Sequence, residues 1–393
     1  MTSRELIIKT INLEKTERVP VTLYWLNPFA RGWESRNPSY SRLLEFAREY
    51  QDTFAFAPIG DPNFTYYLEA TKEKQDPFVY NGIGFLGVFF SSTDGIKYEV
   101  KKTVKERNNI LFETTIETSK GILHSIDRVD KDVATTWQMG PLIKDIKDVE
   151  KILSLPYVPL KLDLSQFLTA EKELGDKGIM GLSMPDPLGA VVPLFNYSEF
   201  LIQSFTNRTK ILNLLGFFYE RLYQLIKCVS EEVKETVFRL FGPEYITPPM
   251  LPPEYFDQFV TRYDTKLVRL IQESGNFACI HCHGKLKPIL KAIMKMKPDM
   301  LEPIEPPPHG DLTLLELKER IGSEICLMGY MEFSDLEFCS VKEVDKKVKK
   351  AIEDGSSEGG YILLPSSTPI ISPLPKKTEE NLIQFLKSGR KYG

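Results

Sequence analysis

The sequence predicts an α/β protein built as a single (β/α)₈ barrel of the TIM type, with an antiparallel β meander inserted after the second strand. Three observations carry this. Eight short apolar runs are each followed by a segment of helical periodicity, and closing eight parallel strands into a barrel removes the edges an open sheet would expose. One barrel over residues 1–393 accounts for a length that ordinary domains of ~100–200 residues would split. Between about Gly82 and Gln138 the pattern switches to short runs of period two, which marks the insertion.

In chain order, an opening helix pattern leads into ERVPVTLYW (Glu17 to Trp25) as strand one, SRLLEFAREY (Ser41 to Tyr50) as an amphipathic helix and TFAFAP (Thr53 to Pro58) as strand two. The meander follows as GIKYEVKKTV, ILFETTIET and GILHSIDRV, punctuated by Asp94-Gly95, Asn108-Asn109 and Lys120-Gly121. From Gly178 the alternation resumes with GIMGLSMPD, two helices over about 198–235, VFRLFGPEY, a helix over about 252–274, FACIHCHG and KLKPILKAIMKM. It ends with DMLEPIEPP, DLTLLELKERIG, EICLMGYME, SVKEVDKKVKKAIEDG, GYILLPSS and TEENLIQFLKSG. Asp311 and Thr378 are placed as N-caps, and Ser340 with Glu343 as a capping box. Gly322 and Gly355 stand where helices should stop.

Composition narrows the function. The 50 Lys and Arg residues are outnumbered by 54 Asp and Glu, a net charge of -4, so nucleic acid and anionic membrane surfaces are not expected partners. No run approaches the ~18 apolar residues of a membrane span, and MTSRELIIKT lacks the layout of a signal peptide, so a cytoplasmic location is expected. The five cysteines are sparse and odd in number, which points to reduced thiols rather than a disulfide framework.

Barrels of this type place their chemistry at the carboxyl ends of the strands. Those ends read Met184-Pro185-Asp186, Gly242-Pro243-Glu244-Tyr245, His281-Cys282-His283-Gly284, Glu302-Pro303-Ile304-Glu305, Gly329-Tyr330-Met331-Glu332 and Ser366-Ser367. Strand alternation puts His281 and His283 on one side, ~6–7 Å apart along the strand, a spacing that can close on one ion. Three of the four histidines also fall between positions 281 and 309. Imidazole with a nearby carboxylate suits zinc with an open coordination position, and Glu244 is the expected third ligand. The alternative is that the two imidazoles hydrogen-bond the barrel mouth or bind an anionic substrate. Glu302 and Glu305 flank a proline turn and are candidates for a base or for orienting a ligand; Asp186 is a candidate for fixing a polar group of a small-molecule substrate. Cys282 should face away from the histidines, and buried structural thiols explain Cys279-x-x-Cys282 best. Tyr24, Trp25, Phe29 and Trp33 could floor a pocket or belong to the core.

Several segments together resemble the uroporphyrinogen decarboxylase superfamily: ERVPV, Thr135-Thr136-Trp137 with Pro141 to Asp145, GPEYITPPMLPPEYF (Gly242 to Phe256), HCHGKL (His281 to Leu286) and IEPPPHGDLTLLELKERIG (Ile304 to Gly322). The resemblance runs along nearly the whole chain and implies a TIM-type barrel. True decarboxylases carry an Arg-rich MRQAGRY motif after strand one. Here that stretch is LYWLNPFARGWESRN (Leu23 to Asn37), which retains Arg31 and Arg36 but not the motif.

The chain looks nearer the corrinoid-linked methyltransferases, whose His-x-Cys-Gly turn and later cysteine hold zinc. His281 matches the first ligand, His283 replaces the cysteine, and Ser366-Ser367 stands where the late cysteine is expected. The resemblance implies methyl transfer between a methylated corrinoid, carried by a partner protein, or a methylated small molecule and a nucleophile held at zinc. With fewer thiolate ligands, zinc would be more electron-poor, ionising a bound thiol or water more readily but holding it more tightly. Two other readings stay open: a metal-assisted lyase or hydrolase acting on a small acid with Glu244 or Glu305 as base, and a corrinoid-handling subunit without catalysis.

Overall fold

From Gly178 onward strands form where apolar residues crowd both faces of an extended run, the pattern of a strand covered on each side, whereas the meander strands alternate in burial. The computed structural model describes the chain apart from residues 31–37, 57–89, 92–94, 105–108, 131, 132, 134 and 161. Trp33, Arg31 and Arg36 therefore lie outside the described residues, as does part of the predicted meander. The strands are β1 (Thr53–Phe56), β2 (Lys97–Val104), β3 (Ile110–Thr118), β4 (Gly121–Val129), β5 (Thr136–Gly140), β6 (Gly178–Pro185), β7 (Val237–Phe241), β8 (Phe277–His281), β9 (Met300–Ile304), β10 (Cys326–Met331) and β11 (Tyr361–Pro365).

Seven of them make a parallel sheet in the order β1-β6-β7-β8-β9-β10-β11, and β2 to β5 make a separate antiparallel sheet. The three predicted meander runs are β2, β3 and β4, and the structure adds β5 beyond them. β6 through β11 follow the predicted runs, each succeeded by helix.

The predicted first strand needs correction. Glu17 to Trp25 forms one parallel bridge, Val21 to Leu363 of β11, instead of a strand. Around that bridge the Thr22 amide donates to Leu363, the Leu363 amide to Pro20, and the Asp52 amide to Val21. Pro20 has no N–H to lengthen the ladder, and the chain turns immediately afterwards, the Leu26 amide donating to Leu23.

Two N-caps also differ. The helix Leu314–Ile321 is capped by Thr313, whose hydroxyl pairs with the amide of Glu316 while the Glu316 carboxylate returns to Thr313. Asp311 instead accepts from the amide of Lys287. The last helix, Lys376–Tyr392, starts after Pro375, so Thr378 is buried in its first turn. Ser340 and Glu343 do form the expected box ahead of the helix Val341–Gly355.

The core has two parts. Residues on one face of the parallel sheet, Phe54, Ile179, Val237, Cys279, Met300, Cys326, Ile362 and Leu364, pack on one another and on Ile7 and Ile11 of the first helix, Ser3–Ile11. The other face meets the helices through a much larger cluster that includes Leu182, Phe238, Leu240, Ile280 and Leu363. Each buried Leu, Ile or Phe contributes about 1.5–3 kcal/mol on leaving water. No helix among the described residues is long and apolar enough to cross a membrane.

Candidate active site

Period-two alternation assembles the site. Ser183, Arg239 and Cys279 are register neighbours across β6, β7 and β8, and His281, two positions beyond Cys279, pairs in register with Glu302 of β9. These residues share the face that is apolar nearer the amino ends of the strands, at Ile179, Val237, Cys279 and Met300. Toward the carboxyl ends the same face becomes polar.

His281 ends β8, and His283 lies just past it in a turn closed by Gly284 at φ 94°, a conformation that favours glycine. The expectation that both rings share a side is met: their centroids stand 4.7 Å apart at 84°. Each Nδ1 is held by a carboxylate, His281 by Glu302 Oε1 at 2.7 Å and His283 by Glu305 Oε1 at 2.9 Å. Glu305 also accepts the Gly284 amide at 2.8 Å, which ties the turn to the ring. His281 Nε2 is 3.9 Å from Glu244 Oε1, whose other oxygen accepts the Gly242 amide at 2.7 Å.

Arg239 underlies this pair. Nε donates to Glu302 at 2.5 Å and Nη1 to Ser183 Oγ at 3.0 Å, while Nη2 lies 2.7 Å from His281 Nδ1. The Tyr24 ring lies 5.5 Å from the guanidinium, and burial pushes its hydroxyl up to about 12. Burial alone would raise Glu302, but Arg239 and His281 outweigh it and bring the carboxyl down to about 2. Burial and then the Arg239 charge hold His281 below its ordinary value, favouring the neutral ring. Burial also disfavours charge on His283, yet Glu305 prevails and raises it.

Asp186 is fully buried rather than open to the mouth. It caps the helix Pro187–Val191 through the Gly189 amide at 2.6 Å, and a side chain at Gly242 would overlap its Oδ1. Its neighbour Asp264, in the helix Arg262–Glu273, is equally buried. Asp186 Oδ2 and both Asp264 oxygens have no hydrogen-bond donor among the described residues. Burial, and for Asp186 the adjacent Asp264, lifts Asp186 well above the carboxylate range and Asp264 to about 8. Both carboxyls therefore favour the protonated form.

A third histidine–carboxylate pair, His309 Nδ1 with Glu332 Oε2 at 3.0 Å, stands beside Ser366, whose hydroxyl donates to Glu332 at 3.2 Å. The thiols stay apart from this chemistry. Cys282 faces the outer core, 3.3 Å from Thr247 Oγ1, and burial pushes Cys279, Cys282 and Cys326 upward, so they remain protonated.

The donors suit a divalent metal in kind, since a carboxylate oxygen stands against each Nδ1, as at protein metal centres. They would make an imidazole–carboxylate set of His281, His283 and Glu244. Among the described residues, however, no three His, Cys, Asp or Glu side chains form a ready ligand group.

Sequence reasoning passed over Arg239 and Asp264. Both carried a signal: Arg239 interrupts the apolar run VFRLF, and Asp264 shares the helix face of Leu267, Val268 and Ile271.

No curated protein matches the sequence. Among solved structures, a methyltransferase from Methanosarcina mazei is similar over 100% of this chain and 99% of its own, at TM-score 0.59 and 14% identity, a likeness of fold. YkuI, a Bacillus subtilis protein with an EAL domain, reaches only TM-score 0.29 at 13% identity, covering 76% of this chain and 63% of its own. Residues 196–392, half of the chain and the half that holds Arg239, Glu244, both rim histidines and their carboxylates, match the family described as uroporphyrinogen decarboxylase (URO-D), and the chain belongs to that family.

Proposed function

We propose that this protein is a methyltransferase that moves a methyl group from a methylated corrinoid or small molecule to a nucleophile held beside His281 and His283. The observation that carries the reading is the pair of imidazoles 4.7 Å apart, each with a carboxylate oxygen against its Nδ1. Such a pair leaves two Nε2 edges for a ligand, both held in place before anything binds.

In this reading Pro20 to Thr22 serves as the eighth stave of a (β/α)₈ barrel, and the chain is one domain acting in the cytoplasm on a small molecule, with a corrinoid protein as partner. A divalent ion, zinc by preference, would be held by His281, His283 and Glu244, and would supply Lewis acidity that ionises a thiol or water at neutral pH. The chain's own residues do the rest. Glu302 and Glu305 fix the rings, Arg239 fixes Glu302, and the apolar residues beneath keep water from the floor of the site.

A decarboxylase-type lyase is the second reading, favoured by two buried carboxyls, Asp186 and Asp264, that favour the protonated form beside Glu244. Methylcobalamin demethylation with thiol acceptors, run with and without added zinc on the purified full chain, tests the proposal. Enzyme-dependent loss of the cobalamin methyl supports it, and its absence with every thiol, with or without zinc, contradicts it.

A further inference from the structure

The contacts of one ring nitrogen go beyond this reading. His281 Nδ1 lies 2.7 Å from Arg239 Nη2 and 2.7 Å from Glu302 Oε1. A guanidinium only donates hydrogen bonds and a carboxylate only accepts them, while an uncharged imidazole nitrogen does one or the other. Nδ1 therefore satisfies Arg239 with its lone pair, leaving the proton on Nε2, or satisfies Glu302 with a proton, leaving Nε2 bare.

We propose that Arg239 is a positioning residue whose Nη2 hydrogen takes the Nδ1 lone pair and so keeps the His281 proton on Nε2, facing the mouth. Two features favour Arg239 over Glu302 in this competition. Its plane is anchored at Nε by Glu302 at 2.5 Å and at Nη1 by Ser183 at 3.0 Å, so Nη2 cannot turn aside. The Nε and Nη2 donors of one guanidinium run side by side, and Glu302 Oε1 and His281 Nδ1 receive them as the two oxygens of a single carboxylate would. The alternative tautomer would set an Nδ1 hydrogen directly against an Nη2 hydrogen.

The consequence concerns what the mouth accepts. With Nε2 protonated, His281 offers a donor beside Glu244 and suits an oxygen or sulfur acceptor on the substrate. Metal ligation by Nε2 first requires the proton to pass to Nδ1 and Glu302 to replace Arg239 as its partner. Arg239 and Glu302 thus set in opposite directions whether His281 donates or ligates.

The inference rests on His281 as a working residue of the mouth, but its test involves neither turnover nor metal, so the two stand or fall separately. Full-length protein with ¹⁵N-labelled histidine is examined by NMR through two-bond nitrogen–proton couplings, with His281→Gln assigning the ring among the four histidines. The wild type is expected to show protonated Nε2 and bare Nδ1. Arg239→Lys, which keeps a charge beside Glu302 and loses the paired donors, is expected to reverse the pattern. A protonated Nδ1 in the wild type, or the same tautomer in both proteins, overturns the proposal. The wild-type spectrum is decisive even if the lysine variant does not fold.

Discussion

Two buried carboxylates at opposite ends of the parallel sheet are built in different ways. Asp52, just ahead of β1, is fully satisfied: Arg18 grips both oxygens at 2.5 and 2.6 Å, Ser3 Oγ donates at 2.7 Å and the Val21 amide at 3.2 Å. Glu302, at the carboxyl end, shares Arg239 with Ser183 and with a histidine ring, and nearby oxygens of Asp186, Asp264 and Glu332 have no hydrogen-bond donor among the described residues. The difference teaches where a fold keeps its chemistry. A saturated ion pair can only hold segments together, whereas a cluster with unmet carboxyl oxygens can shift its hydrogen bonds and protons.

The comparison breaks most visibly at its structural end. Asp52→Ala leaves Arg18 half-buried without its carboxylate and should cost about 3–5 kcal/mol of stability, read from urea unfolding. A loss well under that range would mean that Asp52 is no more structural than Glu302.

At the other end the effect should fall on chemistry. Glu302→Gln keeps the shape of the side chain but loosens the grip on His281, and is expected to lower methyl transfer by about 10–100-fold. Equal activity in wild type and variant would remove Glu302 from the working site.

A smaller effect separates the rim by pH. His283 is raised above its ordinary 6.5 by Glu305, although burial opposes this. Its stabilising share is therefore complete below 6.5 and disappears as pH rises through the higher folded value. Glu305 is lowered despite burial, by its bond to His283, so its share is present above 4.5 and lost as pH falls through the lower folded value. The urea midpoint of the wild type should exceed that of Glu305→Gln by a margin that shrinks on the alkaline side. A margin constant with pH would show that the pair is not ionic.

The smallest effect belongs to the thiols. Iodoacetamide on the native protein should modify exposed Cys228 and spare Cys279, Cys282 and Cys326, without loss of activity. Rapid modification of Cys282, detected by mass spectrometry, would reopen a role for a thiolate in the mouth.

Much of this was legible in the sequence because periodicity survives burial. The meander runs, the strands from Gly178 onward and the shared side of His281 and His283 all follow from period-two and period-3.6 patterns. The predicted first strand is a single bridge: ERVPVTLYW has strand composition, while the interruption by Pro20 and the turn at Leu23 to Leu26 depend on the partner strand. Asp311 lost its capping role because the amide of Lys287, distant in sequence, claims its carboxylate. Glu305 and Glu302 were legible as neighbours of the histidines, but which ring each holds is a property of the three-dimensional register. Arg239 was missed because a single charge in an apolar strand gives no sign of its partners, which come from two other strands.

The account turns on His281 at the carboxyl end of β8. Its most direct test compares wild type and His281→Ala in methylcobalamin demethylation, with thermal melting run on both. The expected result is a rate lowered by about 10²-fold or more in a variant that still melts as one cooperative unit. A His281→Ala protein that turns over at the wild-type rate would contradict it.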